Sequence, residues 1–307
     1  MKRLAAGLGL LVISALPTGA ASFDCAKAKT PVEKAICAQP TLSAADETIA
    51  RLYNELIVVR GDNEDLAQEQ RAWLAQRDMT APGGLVLLHS ERIASLKQQL
   101  DSATTPIALT SLGGSCVPMT GTASDAKCTV EGSGKVKGDD SLSWQTQSYA
   151  LPDDLTNRAS VVLAPVKGQA GMARIVAALY SEGGSVDEPS LVSNRFGRFL
   201  ELPSEADGTG HFNQGMLLAE APDGWRRVDT TSWEKAFAKR LTGGLYAAKG
   251  IYPDFAKMTA ETPLWQESDA NCCATGGYAR IKLGYANLRI TFEDVKVTLG
   301  EKAANGE

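Results

Sequence analysis

The sequence predicts an α+β protein of two domains. The first is a small disulfide-closed helical bundle; the second is a β-rich antiparallel domain with one or two helices. Three observations predict it. Between Thr30 and Leu100 the apolar side chains recur at helical spacing. After Gly114 glycine becomes frequent and short period-two alternation takes over. Six cysteines fall into two pairs twelve positions apart and one adjacent pair.

Met1 to Ala21 has the three parts of a secretory signal. Lys2 and Arg3 open it, Leu4 to Leu16 is apolar and uncharged, and Pro17 precedes small residues, with cleavage expected near Ala20 or Ala21. The apolar run is short for a bilayer, and no later stretch approaches the roughly 20 apolar residues a span requires. The expected location is the periplasm or the medium, with no membrane span. Cys25 follows Phe23 and Asp24 rather than small apolar residues, which argues against a lipid-attachment cysteine. Without Lys2 and Arg3 the chain has 29 basic and 36 acidic residues, a net of −7. That balance argues against nucleic acid, whose phosphates need a basic footprint. It suits a basic partner, although acidity is also a common solubility device.

Five regions are read along the chain: 1–21 signal, 22–101 helical, 102–114 linker, 115–300 β-rich, and 301–307 disordered tail. Thr30-Pro31-Val32-Glu33 reads as a helix start, with Thr30 as N-cap, Pro31 at the first position and Glu33 completing a capping box. This helix ends near Cys37, before Pro40. Ser43 is placed as cap of the next helix, which carries Ile49, Leu52, Tyr53, Leu56 and Val59. Asn63 opens a third with Leu66, Gln70, Trp73, Leu74 and Arg77. Pro82-Gly83-Gly84 separates it from a fourth, running from Leu85 to Leu100.

Asp101 to Gly114 is rich in Ser, Thr, Gly and Pro and reads as a connector. Strands are expected at Lys135 to Lys137, Leu142 to Tyr149, Ser160 to Ala164 and Arg174 to Tyr180. The clearest signal is a C-terminal hairpin. Ile281 and Leu283 alternate with Arg280 and Lys282, a turn runs from Gly284 to Asn287, and Leu288, Ile290 and Phe292 return. One helix interrupts the strands, capped by Thr231 or Ser232, carrying Trp233, Phe237 and Leu241, and ended by Gly243-Gly244.

In an exported chain disulfides are the default for cysteine. The spacing suggests closures of Cys25 with Cys37, Cys116 with Cys128, and Cys272 with Cys273; it is also compatible with other pairings. The adjacent pair could form a vicinal disulfide, bind a metal or pair at a distance. A metal would need further ligands, and the chain offers only His89 and His211.

One ordered set of residues carries a family resemblance. Phe23-Asp24-Cys25, Thr30, Glu33, Ile36-Cys37, Leu42, Asp46, Tyr53, Gln70-Arg71-Ala72-Trp73-Leu74, Arg77-Asp78 and Arg92-Ile93 together resemble the LprI-type lysozyme-inhibitor N-terminal domain. The resemblance covers residues 23–100, about a quarter of the chain. It implies a small, helical, secreted or periplasmic module that binds and inhibits lysozyme. The implied partner is lysozyme or another basic cell-wall-degrading protein. Two family cysteines are missing: Met79 follows the Arg-Asp pair, and residues such as Val86 stand before the last helix. Their joint loss fits the loss of one whole disulfide. His89 stands where the family has tyrosine. The C-terminal Cys272-Cys273-Ala274-Thr275-Gly276-Gly277 resembles tails of uncharacterised exported bacterial proteins, which bring no activity with them.

The motif residues themselves read first as structure. Trp73, Leu74, Tyr53 and Ile93 suit a bundle core, and Glu33, Asp46, Arg71, Arg77 and Asp78 suit bridges that fix helix order. Recognition falls more naturally to loops such as Asn63-Glu64-Asp65 or Pro82-Gly83-Gly84. A further polar gathering, Arg195, Arg198, Glu201, Glu205, Asp207 and His211 within Ser193 to Asn213, reads as a solvated connection between strands. No nucleophile elbow, phosphate loop or zinc helix is present in the sequence, and nothing in it calls for a cofactor or metal. The expected protein is a non-catalytic, lysozyme-inhibitor-like binder. The alternative is a structural or glycan-binding module, which a groove lined by Trp144, Trp225 or Trp265 would favour.

Overall fold

The computed structural model describes residues 21–61, 64–119, 127–151 and 156–300. The stretch read as a secretory leader, up to position 20, the expected Asn63 cap and the expected tail from 301 lie outside the described residues. Within them the chain forms five α-helices and fourteen strands, helical on the N-terminal side and antiparallel β beyond. No helix among them is long and apolar enough to cross a membrane. Two compact units emerge. One joins the chain up to Arg51 with Ala72–Ser95; the other joins Leu52–Arg71 with the chain from Leu96.

In the first unit α1 (Pro31–Ala38) begins as its sequence dictates. The Thr30 hydroxyl accepts from the Glu33 amide at 3.1 Å, while the Glu33 carboxylate accepts from the amides of Thr30 and Lys29 at 2.9 and 2.6 Å. These backbone donors, Thr30 first, hold the Glu33 carboxyl below the usual glutamate range. The disulfide Cys25–Cys37 brings the two Cα atoms to 5.8 Å. Only Gln39 separates α1 from α2 (Pro40–Arg60). The second helix thus starts three residues earlier than Ser43, because Pro40 has φ preset for the first turn and no N–H to satisfy. Ser43 is buried, its amide donating to the Gln39 carbonyl at 2.9 Å. α3 (Glu64–Met79) and α4 (Leu85–Ala103) are separated by a short 3-10 turn at Pro82–Gly84. Val32, Ile36, Leu42 and Leu85 form a core of this unit.

The stretch read as a connector is instead fixed on a sheet. Its Ile107–Ala108, strand β1, pairs antiparallel with Ala173 and Met172. Buried Gln145 and Gln147 hold the backbone from Gly113 to Val117. Gln145 accepts from the Gly113 amide and donates to the Ser115 carbonyl, and Gln147 does the same to both backbone groups of Val117. A buried amide side chain offers both a donor and an acceptor, so it satisfies extended backbone where no strand does. Cys116–Cys128 closes alongside.

The four expected strands are all present and longer than their sequence signals: β2 (Lys127–Val136), β3 (Asp139–Ala150), β4 (Thr156–Pro165) and β5 (Met172–Ser181). They form a sheet ordered β1-β5-β4-β3-β2. A two-stranded ribbon pairs β6 (Gly184–Val186) with β9 (Ser204–Ala206). A third sheet, ordered β11-β10-β8-β7, contains β7 (Ser190–Asn194), β8 (Gly197–Leu202), β10 (Met216–Ala221) and β11 (Gly224–Arg227). The stretch Ser193 to Asn213 is therefore not a simple connection, since it contains β8 and β9. Period-two alternation gives this sheet two buried faces. Leu200, Leu202, Met216 and Leu218 join the core of the first sheet, whereas Phe199, Leu217 and Ala219 join the second core with Trp233, Phe237 and Ile281.

The last sheet is β12 (Thr259–Leu264), β13 (Gly277–Ala286) and β14 (Arg289–Leu299). Ala279, Ile281 and Leu283 are buried while Arg280 and Lys282 are exposed, the one-sided pattern of the sequence. The hairpin turn is tighter than expected. Asn287 and Leu288 alone make it, both left-handed with φ of 53° and 56°, the backbone that a two-residue turn between twisted strands requires. Gly284 stays in register opposite Thr291. The interrupting helix α5 (Ser232–Ala238) is shorter than predicted, leaving Leu241 beyond its end. Its N-cap position is Thr231, one of the two expected, but the Thr231 side chain makes no capping bond; Asp229 accepts instead, from the Thr231 and Ser232 amides at 3.1 and 3.0 Å and from the Ser232 hydroxyl. That hydroxyl, then the amides, pull the Asp229 carboxyl down to about 2.

Candidate binding surface of the helical unit

At the centre of the first unit Asp46 on α2 is buried, as is most of the Arg77 side chain on α3. A guanidinium nitrogen of Arg77 lies 3.8 Å from the Asp46 carboxylate, which also accepts from the Ser22 amide at 2.9 Å and its hydroxyl at 2.6 Å. Arg77 in addition donates to Asp78 at 2.9 and 3.1 Å and covers the Trp73 ring at 5.8 Å. Trp73 meets His89 on α4 edge-on, with centroids 5.4 Å apart. His89 has Nδ1 2.8 Å from the Leu85 carbonyl; a carbonyl only accepts, so this nitrogen carries the hydrogen. Asp46, Arg77, Trp73 and His89 thus tie three helices together, with His89 buried in the core.

The remaining motif residues go elsewhere. Tyr53, Gln70 and Arg71 belong to the second unit; Tyr53 and Gln70 are half-buried. Arg71 pairs with Glu64 at 3.0 Å on an exposed stretch of α3. Arg92 is buried, and Glu33 serves the α1 cap. These side chains position backbone, and few present chemistry to a partner.

What the unit does present is the end formed by α3, the Pro82–Gly84 turn and α4. Met79 is 82% exposed, Val86 57% and Leu87 64%, while their neighbours Leu85 and Leu88 are buried. Further along α4 the outward positions Ser90, Glu91 and Ala94 are polar or small. A Cβ at Gly83 would meet nothing, so the turn itself stands open. Three large apolar side chains within nine positions are thus left uncovered at this end of the unit. The unit has six basic and six acidic residues over Ser22–Arg51 and Ala72–Ser95. The acidity of the chain therefore resides outside it, and attraction by net charge is not its means of recognition.

The second unit holds the groups sequence reasoning gathered around Ser193 to Asn213. Arg198 binds Asp139 and Glu220, each at 2.9 Å. Glu205 contacts His211, and the Tyr252 hydroxyl donates to the His211 carbonyl at 2.7 Å. Burial, then Glu205, pushes the Tyr252 phenol up to about 12. Glu201 lines a cleft of about 180 Å³ with Glu205, Asp187 and Tyr252. Burial first, and Asp254 second, push its carboxyl up to about 7. Its position comes from alternation: Glu201 shares the face of Phe199. Trp144 and Trp265 are core residues, and Trp225 lines a separate groove with Val58, Val59 and Ile175. The three tryptophans do not form one sugar-binding groove. Cys272 and Cys273 are bonded to each other in an exposed loop. Asp269 fixes that loop by accepting from the amides of Gln266 and Thr275 at 2.8 Å.

Comparison with known proteins addresses the first part of the chain. Residues 25–103 match the family model described as Lysozyme inhibitor LprI. The match spans 79 of 307 residues, from the first cysteine to the end of α4. No curated protein and no solved structure matches the chain at a significant level.

Proposed function

We propose that the protein is an exported, non-catalytic binder of the bacterial envelope that inhibits lysozyme through the exposed end of its helical unit. The match of residues 25–103 to an inhibitor family carries this reading. The buried Asp46–Arg77–Trp73 arrangement supports it by supplying a rigid platform. The apolar trio Met79, Val86 and Leu87 supports it by supplying area to bury. Lysozyme works with two carboxylates in an open cleft, so a protein that covers the cleft stops the reaction without any chemistry of its own. In this reading residues 22–101 are the inhibitor module and 115–300 a companion domain.

Titrating the protein, expressed without its leader, into lysozyme during cell-wall lysis tests the proposal. Lysis is expected to fall in proportion to added protein and to stop near equivalence. Unchanged lysis at micromolar excess overturns it, and retention on cell-wall material without lysozyme would favour the glycan-binding alternative.

A further inference from the structure

A cavity of about 400 Å³ in the second unit opens between α5 and the segment Leu245–Ile251. This size is within the range of small-molecule sites. Its apolar wall comes from Phe237, Leu241, Leu245 and Ile251. At its edge stand Phe212 and Tyr246, 59% and 42% exposed, rings that would ordinarily be covered. Two charged side chains also line it, Glu234 from α5 and Lys249 from the other side. Neither makes a hydrogen bond or ion pair among the described residues, with each other or with any third group. Both are half-buried, where a charge without a partner is costly. Burial accordingly pushes the Glu234 carboxyl up. The backbone carrying Lys249 is pinned: the Gly250 amide donates to the Gly210 carbonyl at 2.9 Å, and a Cβ at Gly250 would run into the His211 carbonyl.

We propose that this cavity binds a small apolar zwitterion, a dipeptide whose ammonium group pairs with Glu234 and whose carboxylate pairs with Lys249. Its side chains lie against Phe212, Tyr246 and the aliphatic wall. A neutral saccharide would leave both charges uncompensated, and a fatty acid would bring a carboxylate and nothing for Glu234. Only a ligand with both charges satisfies both walls, and unpaired polar groups in a site discriminate strongly against analogues that lack the partner. The site is independent of the lysozyme reading, since it lies in the other unit.

Calorimetric titration of Leu-Leu into the intact protein tests this, with N-acetyl-Leu-Leu, Leu-Leu-amide and a neutral disaccharide as controls. Leu-Leu is expected to bind, and each blocked analogue about tenfold or more weaker. Glu234→Gln should erase the preference over the acetylated analogue alone, and Lys249→Met the preference over the amide alone. Acidification should weaken Leu-Leu as Glu234 takes up a proton. Near-UV circular dichroism establishes that each variant is folded. Absence of Leu-Leu binding at millimolar concentration, binding indifferent to both substitutions, or preferential binding of the disaccharide overturns the proposal.

Discussion

Asp46→Ala is expected to destabilise the helical unit by about 3 kcal/mol, in the range for removing one partner of a buried ion pair. Asp46 is buried and accepts from Ser22 twice while facing the Arg77 guanidinium. Its loss leaves the Ser22 amide and hydroxyl without their acceptor and Arg77 with a single carboxylate, Asp78. The cost is polar groups deprived of an acceptor more than a lost attraction. Arg71→Ala is the comparison. Its ion pair with Glu64 is exposed on both sides, so it should change stability by less than about 0.5 kcal/mol. Amide hydrogen exchange of the α2 and α3 segments within Pro40–Arg51 and Ala72–Met79 measures both. Equal protection in the two variants would show that the motif is not organised around Asp46.

Glu201→Gln is expected to stabilise the β-rich unit above neutral pH and to flatten its pH dependence. The folded-state carboxyl titrates near 7 against an ordinary 4.5. The folded protein therefore holds a proton that the unfolded chain has released between those values. Stability from this group is fully present below about 4.5 and is lost as pH rises through about 7. At about 1.4 kcal/mol per unit, with allowance for partial exposure, the loss is on the order of 2 kcal/mol. Glutamine keeps the shape without the charge and takes away the repulsion from Asp254. Urea unfolding at pH 4.5, 6 and 8 checks this: the two proteins should diverge as pH rises. Asp229, pulled down to about 2, acts in the opposite sense, contributing stability above about 3.8 that is lost as pH falls through about 2. It is common to both proteins, so the difference between them isolates Glu201. Parallel curves would contradict the assignment.

Much of the fold was legible because it depends on local signals. The α1 capping box, the alternation of Arg280 to Leu283 and the local cysteine pairs each involve residues close in sequence, and the structure obeys them. The features missed depend on contacts between distant residues. Nothing near Asp101 to Gly114 reveals that Gln145 and Gln147, some thirty positions on, hold the backbone from Gly113 to Val117. The N-cap of α5 falls at Thr231 as expected, but the side-chain acceptor for its first amides is Asp229, through an Asx-type turn that its spacing before Ser232 could have suggested. Glu201 was visible as a polar residue in a glycine-rich stretch, but its burial appears only once β8 is known to have two covered faces. On the helical unit the sequence identified the Pro82-Gly83-Gly84 turn as a candidate for recognition. The exposure of the flanking Met79, Val86 and Leu87 could not be read there, because it is a property of the packed helices.

The dissociation constant for lysozyme, measured for the wild-type chain and for the triple variant Met79→Ser, Val86→Ser, Leu87→Ser, bears most directly on the proposed interface. All three side chains are exposed, so the melting temperature should be unchanged, while affinity should fall about 100-fold or more, as for removal of an apolar hot spot. Wild-type affinity retained by the folded variant would place the lysozyme contact elsewhere and contradict the account.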